Sequence, residues 1–201
     1  MTPTSTSRKL TLADIADLRA YERERDEFRA RMIEVKNRRR IALGTIITVM
    51  FENRDTVRMQ IQEMVRVEKV MTDEGIMEEL KAYNPLVPEV GQLCATMFIE
   101  LTSDDQMREW LPKLAGVERS VVIHLADGTQ VRGRLDAQHE EGLTRDDVTA
   151  AVHYLSFDFT PVQVDVFASG DVQLRIDHPN YLEVTELLPS TRDELLTDLR
   201  A

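Results

Sequence analysis

Residues 41–64, IALGTIITVMFENRDTVRMQIQEM, pass from an almost unbroken apolar run into a polar pattern that starts a helix. The run IALGTIITVMF is rich in β-branched side chains, which predicts a strand covered on both faces, the central strand of a sheet. Directly after it, Asn53 is a natural N-cap and Asp55 falls in the electropositive first turn. Val57, Ile61, Met64 and Val65 recur at helical spacing, so a helix of about five turns is expected over ENRDTVRMQIQEMVRVEKV.

Upstream, Thr11 and Asp14 resemble a capping box, and Leu12, Ile15 and Leu18 follow at helical spacing, predicting a first helix to about residue 20. Glu22 to Arg40 has no Gly or Pro and spaces Phe28, Met32 and Val35 three or four apart. This is the pattern of a long helix with a narrow apolar stripe, suited to packing on a partner. Downstream, Thr72 caps a helix that Asn84-Pro85 stops, and Leu93–Leu101 alternates as a strand. Ser103 starts a short helix closed by Gly116, and Asp127-Gly128 joins a hairpin of 121–125 with 130–135. A polar loop is expected over 136–147, a strand over 149–159, a helix from Thr160-Pro161 to Gly170 and a strand over 172–177. Residues 181–188 read as extended or irregular, and Ser190 caps a terminal helix. The expected class is α+β, with a mixed or antiparallel sheet of about five to six strands, helices packed on it and an N-terminal helical arm. The expected division is a disordered start over 1–10, the arm over 11–40 and one domain over 41–201.

At 201 residues, 42% hydrophobic and 30% charged, the chain has the composition of an ordinary globular protein. No run approaches the about 20 apolar residues of a membrane span, and no leader pattern opens the chain, so a cytoplasmic protein is expected. The net charge of −11 argues against nucleic-acid binding, because affinity for phosphates comes from Lys and Arg. The charge is unevenly placed: residues 8–40 carry 11 basic and 7 acidic side chains, and the remainder is strongly acidic. A basic arm on an acidic body predicts self-association or a protein partner docking through Arg38, Arg39 and Arg40. The same arginines also complement the dipole of a helix end, and the arm's charges would serve equally as a solvated face.

Phosphate-loop, dinucleotide, serine-hydrolase and zinc signatures are absent, and one cysteine, Cys94, excludes an all-cysteine cluster within the chain. Cys94 and His153 read as buried structural residues. Two polar clusters remain. Glu52, Asn53, Arg54 and Asp55 fall at the end of the central strand, with Arg58, Gln62 and Glu63 along the helix that follows. Strand ends beside helix N-termini are where anionic groups bind, although capping and ion pairing explain the same residues. Asp177, His178, Asn180 and Tyr181 form the second cluster, where a carboxylate can orient a histidine as base or ligand and Pro-Asn can simply turn the chain. A pocket joining the clusters, with His178 within about 8 Å of Glu52 or Glu63, would make a small carboxylate and histidine enzyme or a metal site, including carboxylate-bound iron.

The words KLTLADIADLRAYERERDEFRARMIEVKNRRR, FENRDTVRMQIQEM, ELKAYNPLVP, ATMFIEL and DHPNY, in this order, resemble the bacterial DUF3501 family over roughly residues 9 to 199. The resemblance implies no reaction or cofactor. It implies an accessory role linked to rubrerythrin-like or iron–sulfur redox partners. The leading expectation is therefore a non-catalytic binding or accessory protein, with the small enzyme as its rival.

Overall fold

In the computed structural model, residues 7–135 and 149–200 are described; the expected polar loop and most of the expected disordered start lie outside them. A 3-10 turn at Leu12–Asp14 is followed by α1 (Leu18–Arg39), then β1 (Arg40–Leu43), β2 (Ile47–Glu52), α2 (Arg54–Glu68), α3 (Asp73–Tyr83) and β3 (Gln92–Ile99). The chain continues through α4 (Asp104–Lys113), β4 (Val121–Leu125), β5 (Gln130–Arg132), β6 (Arg134–Leu135) and β7 (Val152–Asp158). It ends with α5 (Pro161–Ser169), β8 (Val172–His178), β9 (Tyr181–Glu186) and α6 (Pro189–Arg200). The class is α+β, as expected. Among the described residues nine strands form two sheets, ordered β1-β2-β3-β7-β6 and β5-β4-β8-β9, and every pairing is antiparallel.

The expected single strand over 41–51 is a hairpin. Gly44, at φ +67°, turns the chain between Leu43 and Ile47, and its missing Cβ matters twice, because one built there would lie 2.4 Å from the Tyr181 hydroxyl. An apolar run gives no sign of such a turn when both strands and the turn itself are covered. The expectation of two covered faces holds for β2, whose six residues are all buried. Two further strands exceed the expected number because 130–135 breaks at Gly133 and 181–186 pairs with β8. At Gly133 the chain leaves one sheet for the other; a Cβ there would lie 3.1 Å from the Phe157 ring. At the opposite edges, the Tyr181 hydroxyl donates to the Leu43 carbonyl (2.6 Å) and Thr185 donates to the Ala42 carbonyl (2.7 Å), which brings β9 against β1. The two sheets therefore enclose one core, from Val49, Phe51 and Met97 to Ile123, Phe157 and Leu174.

The expected helical boundary near residue 20 is replaced by a break at Ile15–Asp17, after which the Asp17 carboxylate accepts from the Ala20 N–H and starts α1. The terminal helix likewise begins at Pro189 rather than being capped by Ser190, since proline at a first helical position gives up only an N–H without a partner. The apolar stripe of α1 is covered within the chain: Tyr21, Phe28 and Met32 are buried with Met59 of α2 against them. A second core lies between residues 10–15, α2 and α3, with Leu10, Ile15, Val57, Ile61, Val65 and Leu80. No helix among the described residues is long and apolar enough to cross a membrane.

The far end of α1 is pinned to α6 by charge. Arg39, 1% exposed, donates to Asp198 (2.6 Å) and Glu194 (3.0 Å), and Arg38 donates to Glu194 (3.1 Å). Burial pushes the Asp198 carboxyl up from its ordinary value, and the Arg39 guanidinium opposes that shift. Arg39 is therefore corrected from a docking residue to a buried strut, because its donors are already used inside the chain. Arg39→Met leaves a buried carboxylate without its main partner and should cost about 3–5 kcal/mol in denaturant unfolding. Arg39→Met with Asp198→Leu should recover most of that loss; a single-variant loss within the about 0–1 kcal/mol of a surface pair contradicts this role.

Candidate functional site

The polar residues at the end of β2 and along α2 point in two directions. Toward the N-terminal segment, Arg54 donates to the Arg8 carbonyl (3.2 Å) and to Asp14 (2.5 Å), and Arg58 donates to the Asp14 carbonyl (2.8 Å) and to Glu24 (3.3 Å). Gln62, fully buried, accepts from the Ala16 N–H (2.7 Å) and donates to the Ala16 carbonyl (3.2 Å). Glu63 accepts from the Tyr21 hydroxyl (2.6 Å) and from both arms of the Arg25 guanidinium (2.8 and 3.0 Å). These four side chains clamp residues 8–25 onto α2. Arg54 and Arg58, expected to hold an external anion, spend their Nε and Nη2 donors on carbonyls and carboxylates of this chain. Asn53 caps α2, accepting from the Thr56 N–H (2.9 Å), and Asp55 is exposed in the first turn.

Glu52 points the other way, onto the outer face of the five-stranded sheet. Its carboxylate, 9% exposed, accepts from the Thr56 hydroxyl (2.6 Å) and from the Thr96 hydroxyl of β3 (2.7 Å). Both threonines are buried. The Thr56 hydroxyl also accepts from the Asn53 N–H (2.9 Å), so the N-cap and the carboxylate are tied through one oxygen. Glu52 stands at the floor of a cavity of about 260 Å³ between this sheet face, α2 and the ends of α1 and α3. Met50, Val57, Leu86 and Val152 give it apolar walls, Tyr83 and Tyr154 bring hydroxyls, and Lys36 and Arg40 stand at its rim. The register explains this gathering: Arg40, Met50, Thr96 and Tyr154 lie directly opposite one another across four strands. Burial, then the nearby Tyr83 and Glu52, push the Tyr154 hydroxyl up and keep it a donor at neutral pH.

The second cluster lies elsewhere. Asp177 forms a two-armed ion pair with Arg132 (3.1 and 2.6 Å), which holds its carboxyl below the ordinary value. The Asn180 N–H donates to Nδ1 of His178 (3.3 Å), so Nε2 carries the proton of the neutral ring and donates to the Ala115 carbonyl (3.1 Å). Asn180 donates to the Lys113 carbonyl (2.8 Å), and Tyr181 packs edge-on against Trp110. This turn fastens α4 and the β1–β2 hairpin. Tyr181 meets the start of β2 and Glu52 ends it, a separation of about 16 Å along the strand. The pocket expected to join the two clusters is therefore not formed, because each is bound at its own end of β2. Among the described residues no three His, Cys, Asp or Glu side chains converge as a metal site. His153 and Cys94 are buried as expected, with His153 hydrogen-bonded to Thr149 (2.8 Å) and the Ala150 carbonyl (2.8 Å).

Sequence reading located Glu52 and missed its partners. Thr56 carried a signal, a hydroxyl four residues on in the first turn of the helix that follows the strand; Thr96 and Tyr154 share a face of a paired strand register that sequence does not reveal. Glu63 gives the clamp a pH signature. Its hydrogen bonds from Arg25, against the opposing effect of burial and with help from Tyr21, hold its carboxyl at about 2 instead of 4.5. The clamp's contribution is present above the ordinary glutamate range and is lost as pH falls toward about 2. Glu63→Gln should lower stability at neutral pH by about 1–3 kcal/mol and flatten the acid limb of the stability profile, read by denaturant unfolding across that range. An unchanged profile contradicts the clamp.

No curated protein matches the chain. Among solved structures, a crystal structure of a protein of unknown function from Burkholderia pseudomallei is 34% identical and aligns over 95% of this chain and 99% of that one, with a TM-score of 0.88. The model of the family described as "Protein of unknown function (DUF3501)" matches residues 9–199, so the same chain that builds the α2 clamp and the Glu52 cavity belongs to the DUF3501 family.

Proposed function

We propose that the chain is a cytoplasmic, non-catalytic binding and accessory protein, and that the Glu52 cavity is where its small-molecule ligand sits. One observation carries this reading: a nine-tenths-buried carboxylate faces a cavity while forming no ion pair with any described residue. Buried charges are ordinarily paired, because an isolated one is costly to remove from water. Two threonine donors leave about half of a carboxylate's roughly four acceptor positions for a ligand. The cavity is somewhat below the about 300–1,000 Å³ of sites for drug-sized molecules, which suits a compact polar metabolite. The redox-linked role implied by the family resemblance is compatible with such a protein, the partner supplying the electron chemistry and this chain the recognition.

A thermal-shift and calorimetric screen of the full chain against small amines, amino acids, organic acids and nucleosides should yield at least one binder. Gln60→Trp, which places a bulky ring on an exposed cavity-lining position of α2, should weaken that binder about tenfold or more, equivalent to about 1.4 kcal/mol. No binder, or binders indifferent to Gln60→Trp, overturn the proposal.

A further inference from the structure

The cavity that carries the proposed binding function holds two charges that do not satisfy each other. Glu52 lies on its floor, bonded only to hydroxyls. Lys36, half-buried in the last turns of α1, lines the same cavity and forms no ion pair with any described residue. The other cation at the rim is already engaged: Arg40 donates to Glu100 (3.0 Å) and lies over the Phe98 ring at 5.4 Å. Between Glu52 and Lys36 the lining is mixed, with Met50, Val57 and Leu86 suited to methylene groups and the rings of Tyr83 and Tyr154 suited to an ammonium head.

We infer that the cavity takes a small zwitterion of the amino-acid class, its ammonium on Glu52 and its acid group on Lys36. This deepens the proposed binding function and rests on it. A simple anion would meet Lys36 and be repelled by Glu52; a simple amine would meet Glu52 and be repelled by Lys36. A molecule with both charges and a short apolar chain between them answers both ends at once. Two of its three N–H donors fit the open acceptor positions of Glu52.

Titration calorimetry of the full chain with glycine, β-alanine and γ-aminobutyrate, and with propylamine and butyrate as single-charge controls, tests the inference. The best zwitterion should bind about tenfold or more tighter than either control. Lys36→Met, at a half-exposed helix position that does not threaten folding, should reduce that ligand to the affinity of propylamine, and Glu52→Gln should reduce it to that of butyrate. A control that binds as tightly as every zwitterion overturns the inference, as does a zwitterion preference unchanged by Lys36→Met. If the screen yields other binders that Gln60→Trp displaces while no zwitterion binds, the ligand class falls and the binding site stands. If nothing binds, both fall.

Discussion

Because β2 is buried on both faces, the outer side of the five-stranded sheet must be roofed, and the roof is α2 with α1 and α3 beside it. A roof of this kind cannot be held by apolar contact alone when its helix carries Arg54, Arg58, Gln62 and Glu63. Those residues meet specific groups on residues 8–25, several of them backbone. Gln62 is the clearest case, since it satisfies both the N–H and the carbonyl of Ala16 at a break between two helical segments where neither has a helical partner. Leaving such buried groups unpaired costs more than the bond itself contributes, so the clamp fixes the position of the whole N-terminal segment.

The charge asymmetry of the sequence has the same origin. Several basic side chains of 8–40 face acidic groups distant in sequence: Arg25 meets Glu63, Arg38 and Arg39 meet Glu194 and Asp198, and Arg40 meets Glu100. A segment that reads as a cationic arm is thus neutralised in part by its own body. Its narrow apolar stripe follows the same logic, since Phe28 and Met32 need cover only from one neighbouring helix.

Local chemistry made much of the fold legible. Asn53 and Thr72 cap the helices their spacing predicts, Ser103 and Thr160 cap the helices expected to start at them, and Asp127-Gly128 turns its hairpin. These signals succeed because each is settled within a few residues. Gly44 failed as a signal because the strands around it are apolar on both sides of the turn. The division into two sheets was hidden because it depends on Gly133 approaching Phe157, a contact between remote segments. The site was half legible for the same reason: Glu52 and Thr56 are four residues apart across the strand-to-helix junction, whereas the bond from Thr96 to Glu52 spans 44 residues. Polar density in the sequence marked both the clamp and the cavity without separating them.

What separates them is whether the charge of each side chain is answered inside the chain. Glu63 is met by Arg25 and Tyr21, Asp177 by Arg132 and Asp198 by Arg39, while Glu52 has two hydroxyls and an open cavity. The most direct test of that distinction is a crystal structure of the ligand-free chain with the Glu52 and Lys36 side chains clearly resolved. The account predicts Glu52 held by Thr56 and Thr96, with Lys36 turned to solvent or to a bound anion. A direct Lys36–Glu52 ion pair closing the cavity would contradict it.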